Sequence, residues 1–138
     1  MGKIIGIDYG TKRTGIAVTD ELKIIASGLT TVDTKHIYEF LNEYISSNSI
    51  EIIVIGQMSN YDGSSTHNTK PSDEFSRSLE KKYPSIKIER EDESFTSRES
   101  VQAMIKAGVP KSKRRSKELV DKISATLILQ RYMQRMGI

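Results

Sequence analysis

The sequence of 138 residues predicts an α/β fold of three layers, a mixed five-stranded sheet with helices on both faces. Three observations carry this. Three strand-like stretches follow one another before residue 33, joined by short polar turns. The apolar spacing then changes to helical, and helices alternate with short apolar runs. The final segment is apolar nearly all round and must lie flat on something. An antiparallel meander followed by helix–strand alternation yields a sheet whose later strands run parallel to the first.

The elements follow in order. Lys3–Tyr9 is a strand, buried on both faces near its end. Gly10–Arg13 is a turn, and Thr14–Thr19 returns beside the first strand. Asp20–Glu21 turns again into a third strand, Ile24–Val32. Ile37, Phe40, Leu41, Tyr44 and Ile45 share one helical face, with Asp33 or Thr34 as the N-cap. Glu51–Ile55 is a short strand ending at Gly56. Gln57–Ser72 is a polar connection of unusual length, of the kind that is often functional. A helix spans Asp73–Tyr83 and Pro84 stops it; Ile86–Arg90 is an edge strand with alternating charge. A helix over Thr96–Ala107 ends at Gly108, a basic loop spans Val109–Ser116, and Lys117–Met136 is the last helix. The length suits one domain over residues 1–138, and no apolar stripe is left over to specify a dimer.

Composition excludes several chemistries. There is no cysteine, hence no disulfide scaffold, thiolate zinc site or cysteine nucleophile. Zero cysteine is compatible with the cytoplasm. No run approaches the roughly 18 apolar residues of a membrane span. The strand pattern starts at Lys3, so no signal peptide is expected, and Gly6 stands where a myristoylation motif needs a hydroxyl residue. Net charge is only +3, but from Arg98 onward ten basic residues face three acidic ones, while the rest of the chain is acidic. That asymmetry suits a polyanion met by the C-terminal part; a merely solvated basic surface is the plainer reading.

The candidate site is built on carboxylates. Asp8 lies at the carboxyl end of the first strand, where ligand crevices form in such sheets. Asp92 and Glu93 stand at the end of the fifth strand, and Asp121 lies in the last helix near its packing face. Acids converging without a matching lysine repel one another, and a divalent cation removes the repulsion. Oxygen ligands suit Mg²⁺ or Mn²⁺ and not zinc. Two such ions roughly 3.5–4 Å apart can activate water and stabilise the leaving oxygen of a phosphodiester. The expectation is a metal-dependent nuclease with Asp8, Glu93 and Asp121 as its metal-binding, catalytic set. Each residue has a plainer use: Asp8 as a turn former, Glu93 as a solvated entry to a helix in which Thr96 and Glu99 have capping-box spacing, and Asp121 as the partner of Lys117 or Lys122.

These segments are also familiar. "GIDYGTKRTGIAV" (6–18), "DESFTS" (92–97) and "DKISA" (121–125) resemble the YqgF-type family of pre-16S rRNA nucleases, Holliday-junction-resolvase-like proteins with a ribonuclease-H-like fold. "IGQMSNYDG" (55–63) matches that family's Gly-Leu-Pro-x-x-x-Asp-Gly pattern in part, and the resemblance covers essentially the whole chain. It implies processing of the 5′ end of pre-16S ribosomal RNA and places the acidic triad on Asp8, Glu93 and Asp121. Ser94 replaces the family's usual arginine, and Gln57-Met58 its usual Leu-Pro. The acids are intact; the lost positive charge bears on substrate geometry or rate.

Thr11, Lys12 and Arg13 offer hydroxyl, ammonium and guanidinium to a phosphate beside the metals; ordinary turn solvation competes for the two bases. Lys113, Arg114 and Arg115, in the basic run before the last helix, fit contacts along a phosphate backbone. Arg131 and Arg135 extend that strip weakly. Tyr61 could stack on a base, and His67 is a loop histidine left outside the catalytic set. Rival readings are a junction resolvase, which needs two sites and hence a dimer, and a non-catalytic nucleic-acid-binding module. The Asp-x-Gly-Thr turn also resembles the phosphate loop of actin-like ATPases and sugar kinases, which close two such domains around a nucleotide.

Overall fold

The computed structural model describes residues 2–57, 69–92, 102, 104–106, 108–114 and 116–138; of Thr69, Lys113 and Arg114 it describes the backbone. The elements are β1 (Lys3–Tyr9), β2 (Arg13–Thr19), β3 (Ala26–Asp33), a 3₁₀ turn (Thr34–His36), α1 (Ile37–Ser47), β4 (Ile50–Gln57), α2 (Thr69–Lys82), β5 (Lys87–Asp92), a short α3 (Lys111–Arg114) and α4 (Lys117–Met136). The strands form one sheet in the order β3-β2-β1-β4-β5. β1–β2 and β2–β3 are antiparallel. β1–β4 and β4–β5 are parallel. The mixed sheet expected from the sequence is present, and the charged strand β5 is at the edge.

Period-two alternation sorts the strand residues onto two cores. Ile5, Ile7, Ile16, Ile53 and Ile55 face α1 and α2, packing on Ile37, Leu41, Phe75 and Leu79. Ile4, Ala17, Ile52 and Val54 face α4, which contributes Ala125, Ile128, Leu129, Tyr132 and Met133. The second interface is closer. A Cβ on Gly6 would come within 2.7 Å of Leu129 Cβ, and one on Gly28 within 2.7 Å of Lys122 Cγ. Glycine on three neighbouring strands therefore lets α4 settle onto the backbone of the sheet.

α4 is capped at both ends. Ser116 caps it, its hydroxyl accepting from the Leu119 amide at 3.3 Å. Gly137 ends it in the left-handed region (φ 71°), with the Ile138 amide donating back to the Met133 carbonyl at 2.8 Å. The bounds match the apolar run read from the sequence.

Several boundaries differ from expectation for local reasons. β3 begins at Ala26, not Ile24. Asp20 Oδ1 accepts from the amides of both Ile24 and Ile25 at 2.8 Å, and Lys23 adopts φ 59°, so turn chemistry overrides the strand propensity of the isoleucines. Leu22, Ile24 and Ile25 are left 65%, 68% and 63% exposed, an apolar cluster that a search for leftover stripes does not anticipate. α2 begins at Thr69, not Asp73. Pro71 stands in its first turn, where a missing N–H breaks no helical bond. Asp33 takes the N-cap position of the 3₁₀ turn that leads into α1, while His36 is the N-cap of α1 itself, and neither cap carries a side-chain hydrogen bond. The basic segment after Val109 contains α3. Of the helix expected over Thr96–Ala107, residues 102 and 104–106 are described and helical, with Met104 buried.

Candidate active site

The turn after β1 is built tightly. A Cβ on Gly10 would lie 2.4 Å from the Arg13 carbonyl oxygen, so only glycine permits this return. Thr34, the expected cap, instead holds the turn. Its hydroxyl donates to the Gly10 carbonyl at 2.6 Å, and its oxygen also lies 2.9 Å from Thr14 Oγ1. Its amide donates to the Lys12 carbonyl at 2.9 Å. The junction between β3 and the 3₁₀ turn thus fixes the segment that displays Thr11 and Lys12 to solvent. On the far side of β1, Tyr9 stacks on Phe75 with ring centroids 4.5 Å apart. Burial pushes the Tyr9 hydroxyl above its ordinary pKa, with Tyr38 and Glu74 adding to the effect. Asp8 is therefore braced on both sides.

The backbone of Asp121 lies over the glycine that pairs with Asp8. Asp8 pairs with Gly15 across β1–β2. The backbone of α4 lies directly over Gly15: a Cβ there would be 2.0 Å from the Asp121 carbonyl oxygen. The alternation that places Ile4 and Gly6 against α4 places Asp8 on the same face. Asp8 and the Asp121 backbone thus lie toward the same face of the sheet, with Gly15 beside both. Thr31 secures the approach from β3, donating to the Glu118 carbonyl at 2.6 Å.

The other carboxyl ends of parallel strands adjoin the same edge. Gln57 of β4 pairs with Asp92 of β5. Arg90 ties that corner together: it donates to the Gly56 carbonyl (3.1 Å), Ser72 Oγ (2.9 Å) and Asp73 Oδ1 (2.9 Å). Glu93, the third expected acid, follows Asp92 in the sequence and lies outside the described residues, as do Met58, Tyr61, His67, Ser94 and Arg115 and the side chains of Lys113 and Arg114. Asp8 and Asp121 are hard oxygen donors of the kind that suit Mg²⁺ or Mn²⁺. Among the described residues no three His, Cys, Asp or Glu side chains gather to hold a metal ion.

The sequence reading missed one partner. Along the chain Lys117 and Lys122 are the cations spaced to meet Asp121, and no lysine is placed to match the converging acids. The structure supplies Arg13, whose Nε donates to Asp121 Oδ2 at 3.0 Å. Arg13 is two positions before Gly15 on β2, so both face α4; that spacing was the available signal. Arg135 also departs from its expected role, with its Nε on Glu91 Oε1 at 2.8 Å.

Comparisons with known proteins agree with the motifs. A family model described as "RuvX: Holliday junction resolvase" matches residues 2–135. A protein of Christiangramia forsetii named "Putative pre-16S rRNA nuclease" is 48% identical over 133 residues, 96% of this chain and 98% of its own. A protein of the same name from Bacteroides fragilis is 46% identical over 134 residues, 97% of each chain. Among solved structures, fowlpox virus resolvase with substrate Holliday junction DNA superposes with TM-score 0.63 at 11% identity, covering 97% of this chain and 98% of that one. Thermus thermophilus RuvC with a Holliday junction substrate gives 0.59 at 16% identity, covering 99% and 97%. At such identities the likeness establishes the fold, which is ribonuclease-H-like.

Proposed function

The chain belongs to the RuvX Holliday junction resolvase family, and from that premise we propose that it is a metal-dependent nuclease that hydrolyses phosphodiester bonds at the 5′ end of pre-16S ribosomal RNA. The observation that supports this is the seating of the α4 backbone, at Asp121, on Gly15, the residue that pairs with Asp8. A helix pressed this closely onto a sheet fixes a carboxylate within the tolerance a metal needs. The names of the relatives support RNA as the substrate.

Asp8 and Asp121, with Glu93 as third ligand, would hold Mg²⁺ or Mn²⁺. Such an ion lowers the pKa of water and neutralises charge developing on the phosphate. The chain's own groups orient the substrate. Thr11 and Lys12 project from the turn that Thr34 clamps, in reach of a phosphate oxygen entering beside Asp8, with Arg13 next to them. Lys113, Arg114 and Arg115, just before α4, would follow the strand by charge and make binding salt-dependent. The whole of residues 1–138 serves as a single nuclease domain, and acting on a ribosomal precursor places it in the cytoplasm.

A second reading, junction resolution, is favoured by the family description and by the resolvases that share the fold. The deciding experiment is cleavage of labelled precursor RNA and of a four-way DNA junction, side by side. Each is run with Mg²⁺, Mn²⁺ or chelator, using wild type and Asp8→Asn. Metal-dependent cutting of the RNA alone, lost in the variant, is expected. Cutting of the junction alone would install the second reading, and binding without cutting in both proteins would leave a non-catalytic nucleic-acid-binding module.

A further inference from the structure

We propose that the apolar patch formed by the β2–β3 turn and the carboxyl end of α4 is an interface at which two copies of this chain pair about a twofold axis. The inference stands on the surface alone and does not rest on the nuclease reading. Leu22, Ile24 and Ile25 are exposed on the turn, and Ile138, about half exposed, is folded back beside Met133 by its amide. Ile24, Ile25 and Ile138 border an open cleft of about 450 Å³ floored by Met133, with Gln130 and Gln134 on its margin.

The exposure belongs to a firmly built turn. Asp20 Oδ1 accepts from the Ile24 and Ile25 amides, the Lys23 amide donates to the Asp20 carbonyl at 3.0 Å, and the Asp20 amide donates to the Ile25 carbonyl at 3.3 Å. These bonds hold apolar side chains in water, where exposure is unfavourable. An apolar surface held in place in advance has little ordering cost left when it binds. Lys23, the charged residue between Leu22 and Ile24, has its ammonium paired with Glu51; free charge is what interface cores lack. Four aliphatic residues at these exposures present on the order of 400 Å², within the range in which a patch marks an interaction site. A stable interface takes about 800 Å² from each partner, somewhat more than half of it apolar. The patch therefore supplies most of the apolar part of a standard dimer contact.

A second copy is the occupant because the patch is complementary to itself. Leu22 and Ile24, about two-thirds exposed, lie on the same turn that borders the cleft. A twofold axis brings the projecting side chains of each copy to the cleft of the other. The margin is neutral as well: the amides of Gln130 and Gln134 both donate and accept, so they can meet their own copies without the repulsion of a charged rim. The patch adjoins the end of the sheet opposite Asp8 and the Gly10 turn, so pairing there leaves that edge uncovered in both copies.

The test is sedimentation of the full chain across concentration, without nucleic acid. The mass is expected to double with a micromolar or tighter dissociation constant, the range of standard-sized interfaces. Ile24→Lys sets two ammonium groups against each other across the axis and should weaken pairing at least about tenfold, with the fold checked by circular dichroism. Leu29→Lys, at an exposed apolar residue in the middle of edge strand β3 and outside the patch, should leave the dimer intact. If Ile24→Lys does not fold, wild-type amide spectra decide: concentration-dependent shifts should gather at Leu22, Ile24, Ile25 and Ile138. A chain that stays monomeric up to about 1 mM, where even weak specific contacts form, overturns the proposal and assigns the patch to a different partner. A dimer that Leu29→Lys dissociates and Ile24→Lys spares overturns it in favour of pairing along the β3 edge. Either failure leaves the nuclease reading standing, since that reading is tested by cleavage.

Discussion

The two faces of the sheet solve different problems. On the face toward α1 and α2, isoleucines from three strands meet Leu41, Phe75 and Leu79. Large side chains hold the helices at a distance, and the interface is an ordinary hydrophobic core. On the face toward α4, Gly6, Gly15 and Gly28 remove the spacer: helix and strand backbones nearly touch at Gly6 and Gly15, and Gly28 makes room for the Lys122 side chain. Little apolar area is gained at those three positions. What is gained is position: the carbonyl of Asp121 rests where a Cβ of Gly15 would be. Both faces bury apolar side chains, and the α4 face in addition brings a helix backbone onto Gly15, opposite Asp8.

Substitutions on the two faces should therefore fail differently. Leu79→Ala, on the thick face, removes a fully buried side chain. It should cost about 2–5 kcal/mol in urea unfolding, while the folded fraction cleaves with unchanged kcat. Gly15→Ala adds one methyl group on the thin face. The cost in stability should be about 3 kcal/mol, the upper end for overpacking, and cleavage should fall much further than stability explains because Asp121 is displaced. Equal loss of activity in the two variants, corrected for folding, would break the comparison.

Smaller changes sharpen it. Thr34→Val removes the hydroxyl that joins the Gly10 carbonyl to buried Thr14. About 1–2 kcal/mol of stability should go, and KM for RNA should rise as the turn loosens, with kcat less affected. The smallest effect is expected at the opposite end of β2, where Asp20 holds the turn. The Ile25 amide, and then that of Ile24, hold its carboxyl below the ordinary aspartate range. A lowered carboxylate stabilises the folded state at neutral pH and loses that contribution as the pH falls through its folded-state value. The protection factors of the Ile24 and Ile25 amides, taken relative to the intrinsic exchange rate at each pH, should fall below about pH 4, with metal binding at neutral pH untouched by Asp20→Asn.

What could be read from the sequence was whatever neighbours along the chain decide. The bounds of β1 and α4 follow from apolar periodicity, from Ser116 and from Gly137, and they match. Asp8 and Asp121 stand out in the sequence as an acid ending a buried strand and an acid near the packing face of an apolar helix. Misreadings arose where two local signals competed. Ile24 and Ile25 have strand propensity, but the Asp20 side chain offers their amides a turn; Thr34 has the chemistry of a cap, but Gly10 and Thr14 lie closer to its hydroxyl. The strand order, the seating of Asp121 over Gly15 and the Arg13–Asp121 pair belong to the tertiary structure alone. Periodicity states which face a residue takes, while the partner it meets there depends on how segments about a hundred residues apart pack, and that is set by the shapes of both surfaces at once.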